Sequence, residues 1–278
     1  MTRATAELAT ELLRLHTDHE LLVLPNVWDV ATARVVAALP GCRALATASH
    51  SIAAAHGYPD GEKIPLELML AACERIAAAV ELPVSADLEA GYGDPGETIR
   101  RAIGVGVVGA NLEDQMKPLD QAVAAVRSVV RAGEAEGVGF VLNARTDAFL
   151  EPGDRDPGQM LTEAISRGRA FLDEGAACVF VPGRLDEQTV TALVEGIGHR
   201  RVSVIGVPGS LSGTRLAELG VARLSYGPWS MNVALTALAT SRPAHWPGAR
   251  SPRACAGSAE SQLRYCTSTP TTAKPRRS

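Results

Sequence analysis

The sequence predicts an α/β fold, a (β/α)8 TIM barrel with an N-terminal helix in front and a basic, disordered C-terminal tail behind. Three observations lead there. Short apolar runs recur about every 20 to 40 residues, with a stretch of helical period between each pair, as in parallel strands joined by right-handed crossovers. The chain has 278 residues, 46% of them hydrophobic, close to the ~250 residues of a single closed barrel. Aromatic residues make up only 4%, and the abundant Ala, Val, Leu and Gly suit small helices packed on a Val-rich sheet.

Taken in order, apolar positions at helical spacing predict a helix over 4–16, with His16 and His19 on its surface. Leu21–Leu24 reads as a first strand closed by Pro25-Asn26, and 28–39 as the first crossover helix, ending at Pro40-Gly41. Residues 43–48 form the second strand, which runs into the small, polar cluster Thr47-Ala48-Ser49-His50-Ser51. Small residues there admit a ligand to the backbone, or make an ordinary loop. A turn-rich segment, 55–62, follows and is placed to close over a site; Pro65 opens a helix to Val80.

The third strand, from Leu82, ends Asp87-Leu88-Glu89-Ala90-Gly91-Tyr92-Gly93. In extended backbone Asp87 and Glu89 share a face about 7 Å apart. Two carboxylates at the end of a buried strand repel unless a cation or a proton offsets them. They therefore form one side of a divalent metal site, or else lie solvated in a glycine turn. Asp94-Pro95-Gly96-Glu97 is a helix start with Asp94 as its cap. The fourth strand, over 104–114, places Asn111 and Glu113 on one face; the fifth, over 137–142, leads into Asn143-Ala144-Arg145-Thr146-Asp147. A loop around 152–157 precedes a helix over 158–174 that stops at Gly175. Strands six to eight fall at 178–181, 202–206 and 222–225, with Trp229 packing at a helix start.

Beyond about residue 240 the apolar period vanishes. The tail, 241–278, carries seven basic residues and one acidic, so the preceding 240 hold a net charge of −10 within an overall −4. The domains are thus a barrel over 1–240 and a low-complexity tail over 241–278, expected to be disordered or to meet an acidic partner. Nothing else calls for nucleic acid or a membrane surface. Glu7, Glu11 and Arg14 interrupt any signal-peptide core, and no run reaches the ~20 apolar residues of a span. Five scattered cysteines without CxxC spacing suit a reducing, cytoplasmic setting, with Cys178 as inert core.

The strand ends Ser49, Asp60, Asp87/Glu89, Glu113 and Arg145, with the motifs ProAsnValTrpAsp (25–29), GlyTyrProAspGly (57–61), SerAlaAspLeuGluAlaGlyTyrGly (85–93), AsnLeuGluAsp (111–114) and AsnAlaArgThrAsp (143–147), resemble the isocitrate lyase and phosphoenolpyruvate mutase superfamily over about 20–240. The resemblance implies a Mg²⁺ enzyme, with Mn²⁺ the alternative, that breaks or makes a bond beside an α-oxo acid through an enolate. It implies metal ligation by Asp87, Glu89 and Glu113, directly or through water. Ser49 and His50 would bind a substrate carboxylate or oxo group together with Asp87 and Arg145. Asp60 would handle a proton or position the substrate, with Arg145 and Glu113 also in the catalytic set. The partner expected is a small carboxylate substrate, and the assembly a homo-oligomer, though the tail does not look like the helices that relatives exchange.

The departures narrow the activity. Isocitrate and methylisocitrate lyases carry a Lys-Lys/Arg-Cys-Gly-His loop after the fourth strand, whereas Gln115–Asp120 holds neither Cys nor His. Phosphonate mutases have Lys and then Asn after the loop proline; here Leu119 and Asp120 follow Pro118, and Lys117 precedes it. Lyase or decarboxylase chemistry on a small 2-oxo or 2-hydroxy (di)carboxylic acid is favoured. The alternatives are a phosphonopyruvate-type P–C mutase or hydrolase, a non-catalytic metal- and carboxylate-binding barrel, and a phosphate site on Gly206–Gly209 and Tyr226–Pro228. His56 and Tyr92 sit in site-facing loops, as lining or as structural residues.

Overall fold

The computed structural model describes residues 4–150 and 155–241. Helix α1 (Thr5–Thr17) leads into β1 (Leu22–Leu24), β2 (Asn26–Val27), α2 (Val30–Ala37), β3 (Leu45–Thr47), α3 (Ser49–Ala55) and α4 (Leu66–Ala78). Then follow β4 (Val84–Asp87), α5 (Pro95–Gly104), β5 (Gly109–Glu113), α6 (Leu119–Ala135), β6 (Val141–Arg145) and α7 (Pro157–Asp173). The order closes with β7 (Cys178–Phe180), α8 (Glu187–Ile197), β8 (Val202–Ile205), α9 (Gly213–Glu218), β9 (Arg223–Ser225) and α10 (Trp229–Thr240).

The sheet is parallel throughout, in the order β1-β9-β8-β7-β6-β5-β4-β3-β2. Its nine segments fill eight barrel positions, because β1 and β2 are one strand broken at Pro25, which has no N–H for the ladder. The first half bonds to β9 and the second to β3, so the sheet returns to the strand where it began and keeps no free edge. Asn26 stitches this closure. Its Oδ1 accepts the backbone N–H groups of Tyr226 and Gly227, each at 2.7 Å, and its Nδ2 donates to the Thr47 carbonyl at 2.9 Å. Asn26→Ala is expected to lower unfolding stability by about 1–3 kcal/mol, since two N–H groups lose their acceptor, which urea denaturation would measure.

Alternation along the strands sorts the two faces. Outward residues such as Leu45, Val84, Ala110, Leu112, Leu142 and Val179 are buried under the helices and make the apolar core. The lumen instead holds a polar layer: Asn143 donates to Asn111 at 2.8 Å and to Ser203 at 3.3 Å, and Arg223 reaches Ser85 and Asn111, each at 3.3 Å. Leu12 of α1 lies where a side chain at Gly109 would stand, 2.8 Å from that position, so α1 covers the N-terminal end.

Several expectations need correcting. His16 is buried, not on the surface; its Nδ1 meets the Leu12 carbonyl at 2.8 Å, and burial, with Arg223 nearby, holds its pKa down to about 3. The first strand runs on past Pro25 to Val27. The fourth is shorter than 104–114, because α5 extends to Gly104 and a turn fills the gap before Gly109. The fifth begins at Val141 and includes Arg145. Helix α3 was missed, as seven residues after a strand carry too little period to read. The first crossover helix starts on a capping box, with Asp29 accepting from the Thr32 N–H at 2.7 Å.

The chain divides into two compact units, 1–233 and 234–278. All nine strands among the described residues lie in the first; the described part of the second is the end of α10 and Ser241. Of the tail expected over 241–278 all but Ser241 lies outside the described residues, as do residues 152–154 of the loop expected around 152–157. Among those described, no helix is long and apolar enough to cross a membrane.

Candidate active site

Asp87, Glu113 and Arg145 are the last residues of β4, β5 and β6. Parallel strands put all three at one end, the carboxyl-terminal mouth where barrel enzymes carry their chemistry. Register sets Glu113 directly opposite Arg145, and their side chains pair at 2.7 Å between Nη1 and Oε2. Arg145 Nε also holds Asp147 Oδ1 at 2.7 Å. The guanidinium is therefore oriented by two carboxylates and keeps further N–H groups for a ligand.

Asp87 is held from the neighbouring strand. Its N–H donates to Thr47 Oγ1 at 2.9 Å, and its Oδ2 accepts both the N–H of Ser49 at 3.0 Å and the Ser49 hydroxyl at 2.7 Å. Ser49 thus orients Asp87 here. His50, next in α3, has a buried Nδ1 without a hydrogen-bond partner.

Glu89 reaches Asp87 by a route different from the expected strand alternation. The strand ends at Asp87, and Glu89 lies in a turn with φ at +52°. Its Oε2 accepts the Glu62 N–H, while its Oε1 is buried without a partner. Gly91 closes this turn at φ +90°, and a Cβ there would stand 2.7 Å from the Pro95 Cα, so only glycine fits. Asp94 caps α5 as expected, accepting the Glu97 N–H at 3.1 Å.

The acidic groups act on one another. Burial first, then the charges of Asp60 and Asp87, pushes Glu89 up to about 8. Burial likewise raises Glu113 to about 7 against the pull of Arg145. Asp60, on the loop before α4, is raised by burial of its carboxyl, by an amount that His50 limits, and it also feels Asp87 and Arg145. Asp60, Asp87, Glu89, Glu113 and Arg145 thus lie near enough to feel one another's charge, while Ser49 bonds Asp87 directly. Both glutamates bind protons more tightly folded than unfolded, so their stabilisation is complete below the unfolded value of 4.5 and is lost as pH rises through about 7 and 8. His16 acts in the opposite sense, but only below its unfolded 6.5. The metal-free melting temperature is accordingly expected to fall between about pH 6.5 and 8.5; calorimetry showing a rise there would refute the assignment.

The partners of Thr47, Glu62, Asp147 and Asp114, the last paired with Arg167, are recognisable only once the loops are folded. A cavity of about 230 Å³ adjoins the site, lined by Glu113 and Arg145 with Lys117, Gln121, Leu112 and Phe171 among others. Tyr92 has its ring hydroxyl buried without a partner, while His56 is exposed and bonds the Ile52 carbonyl at 2.9 Å. The phosphate alternative loses its donors: Asn26 takes the Tyr226 and Gly227 N–H groups, and Ser210 takes that of Val207 at 3.1 Å.

An acidic mouth faced by an oriented arginine, at the carboxyl-terminal end of a parallel barrel, is where a barrel enzyme carries its chemistry. A family model described as phosphoenolpyruvate phosphomutase matches residues 12–243, and the chain belongs to that family, within the phosphoenolpyruvate mutase and isocitrate lyase superfamily of lyases and mutases. It is 33% identical over 242 residues to the uncharacterized protein Rv1998c of Mycobacterium tuberculosis, covering 86% of this chain and 90% of that one. It is 27% identical over 248 residues to 2,3-dimethylmalate lyase of Eubacterium barkeri, covering 83% of each. The structure of oxaloacetate acetylhydrolase with its product oxalate superposes with a TM-score of 0.78 at 25% identity, over 95% of this chain and 94% of the other.

Proposed function

We propose that this protein is a Mg²⁺-dependent lyase that cleaves a carbon–carbon bond, or releases carbon dioxide, from a small 2-oxo or 2-hydroxy (di)carboxylic acid through an enolate. The observation that carries the reading is the partnerless, buried Glu89 Oε1 among Asp60, Asp87 and Glu113, with Arg145 beside them. Hard carboxylate oxygens fit a hard divalent cation, Mg²⁺ or alternatively Mn²⁺. Asp87 would hold it, with Glu89 and Glu113 directly or through water. Among the described residues no three His, Cys, Asp or Glu side chains form a ready cage, and Mg²⁺ needs none, since it keeps several waters and takes few carboxylates. When bound, the ion would supply positive charge where negative charge builds on the substrate.

The chain's own residues do the rest. Arg145, steadied by Glu113 and Asp147, grips a substrate carboxylate with its remaining N–H groups. Ser49 keeps the Asp87 carboxylate turned to the site, and His50 presents its ring beside Asp60. Burial strengthens the hold of Asp60 on its proton, which suits donation to a carbon that has gained negative charge. Dimethylmalate and oxaloacetate, the acids named in two relatives' activities, belong to the proposed class. The free thiols Cys42, Cys73 and Cys178 support a reducing, cytoplasmic setting. A second reading, a phosphonopyruvate-type P–C mutase or hydrolase, has in its favour Lys117 at the cavity beside Glu113 and Arg145.

The test is a screen of the purified protein with Mg²⁺ against 2-oxo and 2-hydroxy acids and phosphonopyruvate, watching for pyruvate, glyoxylate, oxalate and carbon dioxide. Mg²⁺-dependent exchange of C3 protons of a 2-oxo acid with deuterated solvent reports the enolate directly. A protein that binds these acids but neither exchanges nor converts them would be a binding barrel, and the proposal would fail.

A further inference from the structure

We propose that Glu62 is a positioning residue, a latch that seats the 57–62 loop and so delivers Asp60 over the acidic mouth. Its catalytic meaning rests on the proposed function, but the latch itself rests on hydrogen bonds. Glu62 is bonded twice to the turn after β4: its N–H donates to Glu89 Oε2, and its Oε1 accepts the Tyr92 N–H at 2.6 Å. Among the described residues, no other hydrogen bond ties 59–64 to a different segment of the chain; the backbone bond before it, Tyr58 N–H to the Ala53 carbonyl at 2.9 Å, belongs to the end of α3.

The backbone on both sides is held in a costly form. Glu62, Glu89 and Tyr92 have φ of +58°, +52° and +53°, a left-handed conformation that L-residues other than Asn and Asp seldom adopt. Such strain persists where surrounding bonds over-determine it, and three of the six described non-glycine residues with positive φ share the two latch bonds. Gly57 and Gly61, at φ +80° and +86°, have nothing within 4 Å of a would-be Cβ. Backbone freedom, not crowding, requires glycine at these two positions, so the loop between them can swing when the latch opens.

The side chain's part is the acceptor for Tyr92, which glutamine keeps and alanine removes. In Glu62→Ala, amide hydrogen exchange over 57–62 without substrate is expected to quicken about tenfold or more, while Glu62→Gln stays near the wild type. Turnover of Glu62→Ala should fall in kcat with little change in KM, and Glu62→Gln should recover it. In an Asp60→Asn background Glu62→Ala should cost nothing further, because it acts through Asp60. Unchanged exchange in Glu62→Ala, failure of glutamine to restore it, or full additivity with Asp60→Asn would each overturn the latch. If no acid is turned over by the wild type, the function proposal fails while the exchange comparison still decides the latch.

Discussion

Replacing Asp87 with alanine is expected to abolish metal-dependent turnover, a loss of about a thousandfold or more, with the fold retained. The carboxylate stands at a strand end, half-buried, and its backbone N–H keeps its bond to Thr47 whatever the side chain. What disappears is the charge that Ser49 orients through two donors on Oδ2, and with it the first of the ligands proposed for the cation. Asp87→Asn is the sharper variant, since it preserves an oxygen for Ser49 and removes only the negative charge; it is expected to lose Mg²⁺ affinity as well. Calorimetric titration of Mg²⁺ and kcat measurement check both variants. Metal-dependent turnover surviving in either would remove Asp87 from the site.

Asp114→Ala is expected to show the largest loss of stability, about 3–5 kcal/mol in urea denaturation, as when one partner of a buried ion pair is deleted. Asp114 and Arg167 meet at 3.2 Å with side chains only 2% and 6% exposed. The same carboxylate accepts the Met116 and Asp147 N–H groups, each at 3.0 Å, and Arg167 also donates to the Lys117 carbonyl at 2.8 Å. Removing the acid leaves the buried guanidinium with only Glu163, at 2.6 Å, and the Lys117 carbonyl as partners, and it loosens two loops at once, including Asp147, the residue that steadies Arg145. Activity should therefore fall with stability. The double replacement Asp114→Leu with Arg167→Met should recover part of the stability, because no charge is left buried, but not the activity. A single variant as stable as the wild type would mean that the pair contributes nothing.

The strand ends were legible because chemistry and period coincide there. Asp87, Glu113 and Arg145 each close a short apolar run, and parallel connection sends every such end to one mouth. Glu89 was placed near Asp87 for the wrong reason: alternation predicted a shared strand face, and a left-handed turn brought it there instead. Helix α3 and the buried His16 were missed because short-range pattern does not report what the neighbouring strands cover. The role of Asp114 was equally invisible, since its partner stands 53 residues away and looks like any helical arginine.

By itself the sequence determined the parallel eight-position barrel and the acids and arginine at its mouth, because hydrophobic period and chain reversal are local properties written residue by residue. Tertiary structure alone decided how those groups are held: Ser49 on Asp87, Glu62 on Glu89 and Tyr92, Asp114 on Arg167, and the polar lumen below. These are contacts between segments far apart in the chain. Their worth comes from burial and from distances of about 3 Å, which no linear spacing records.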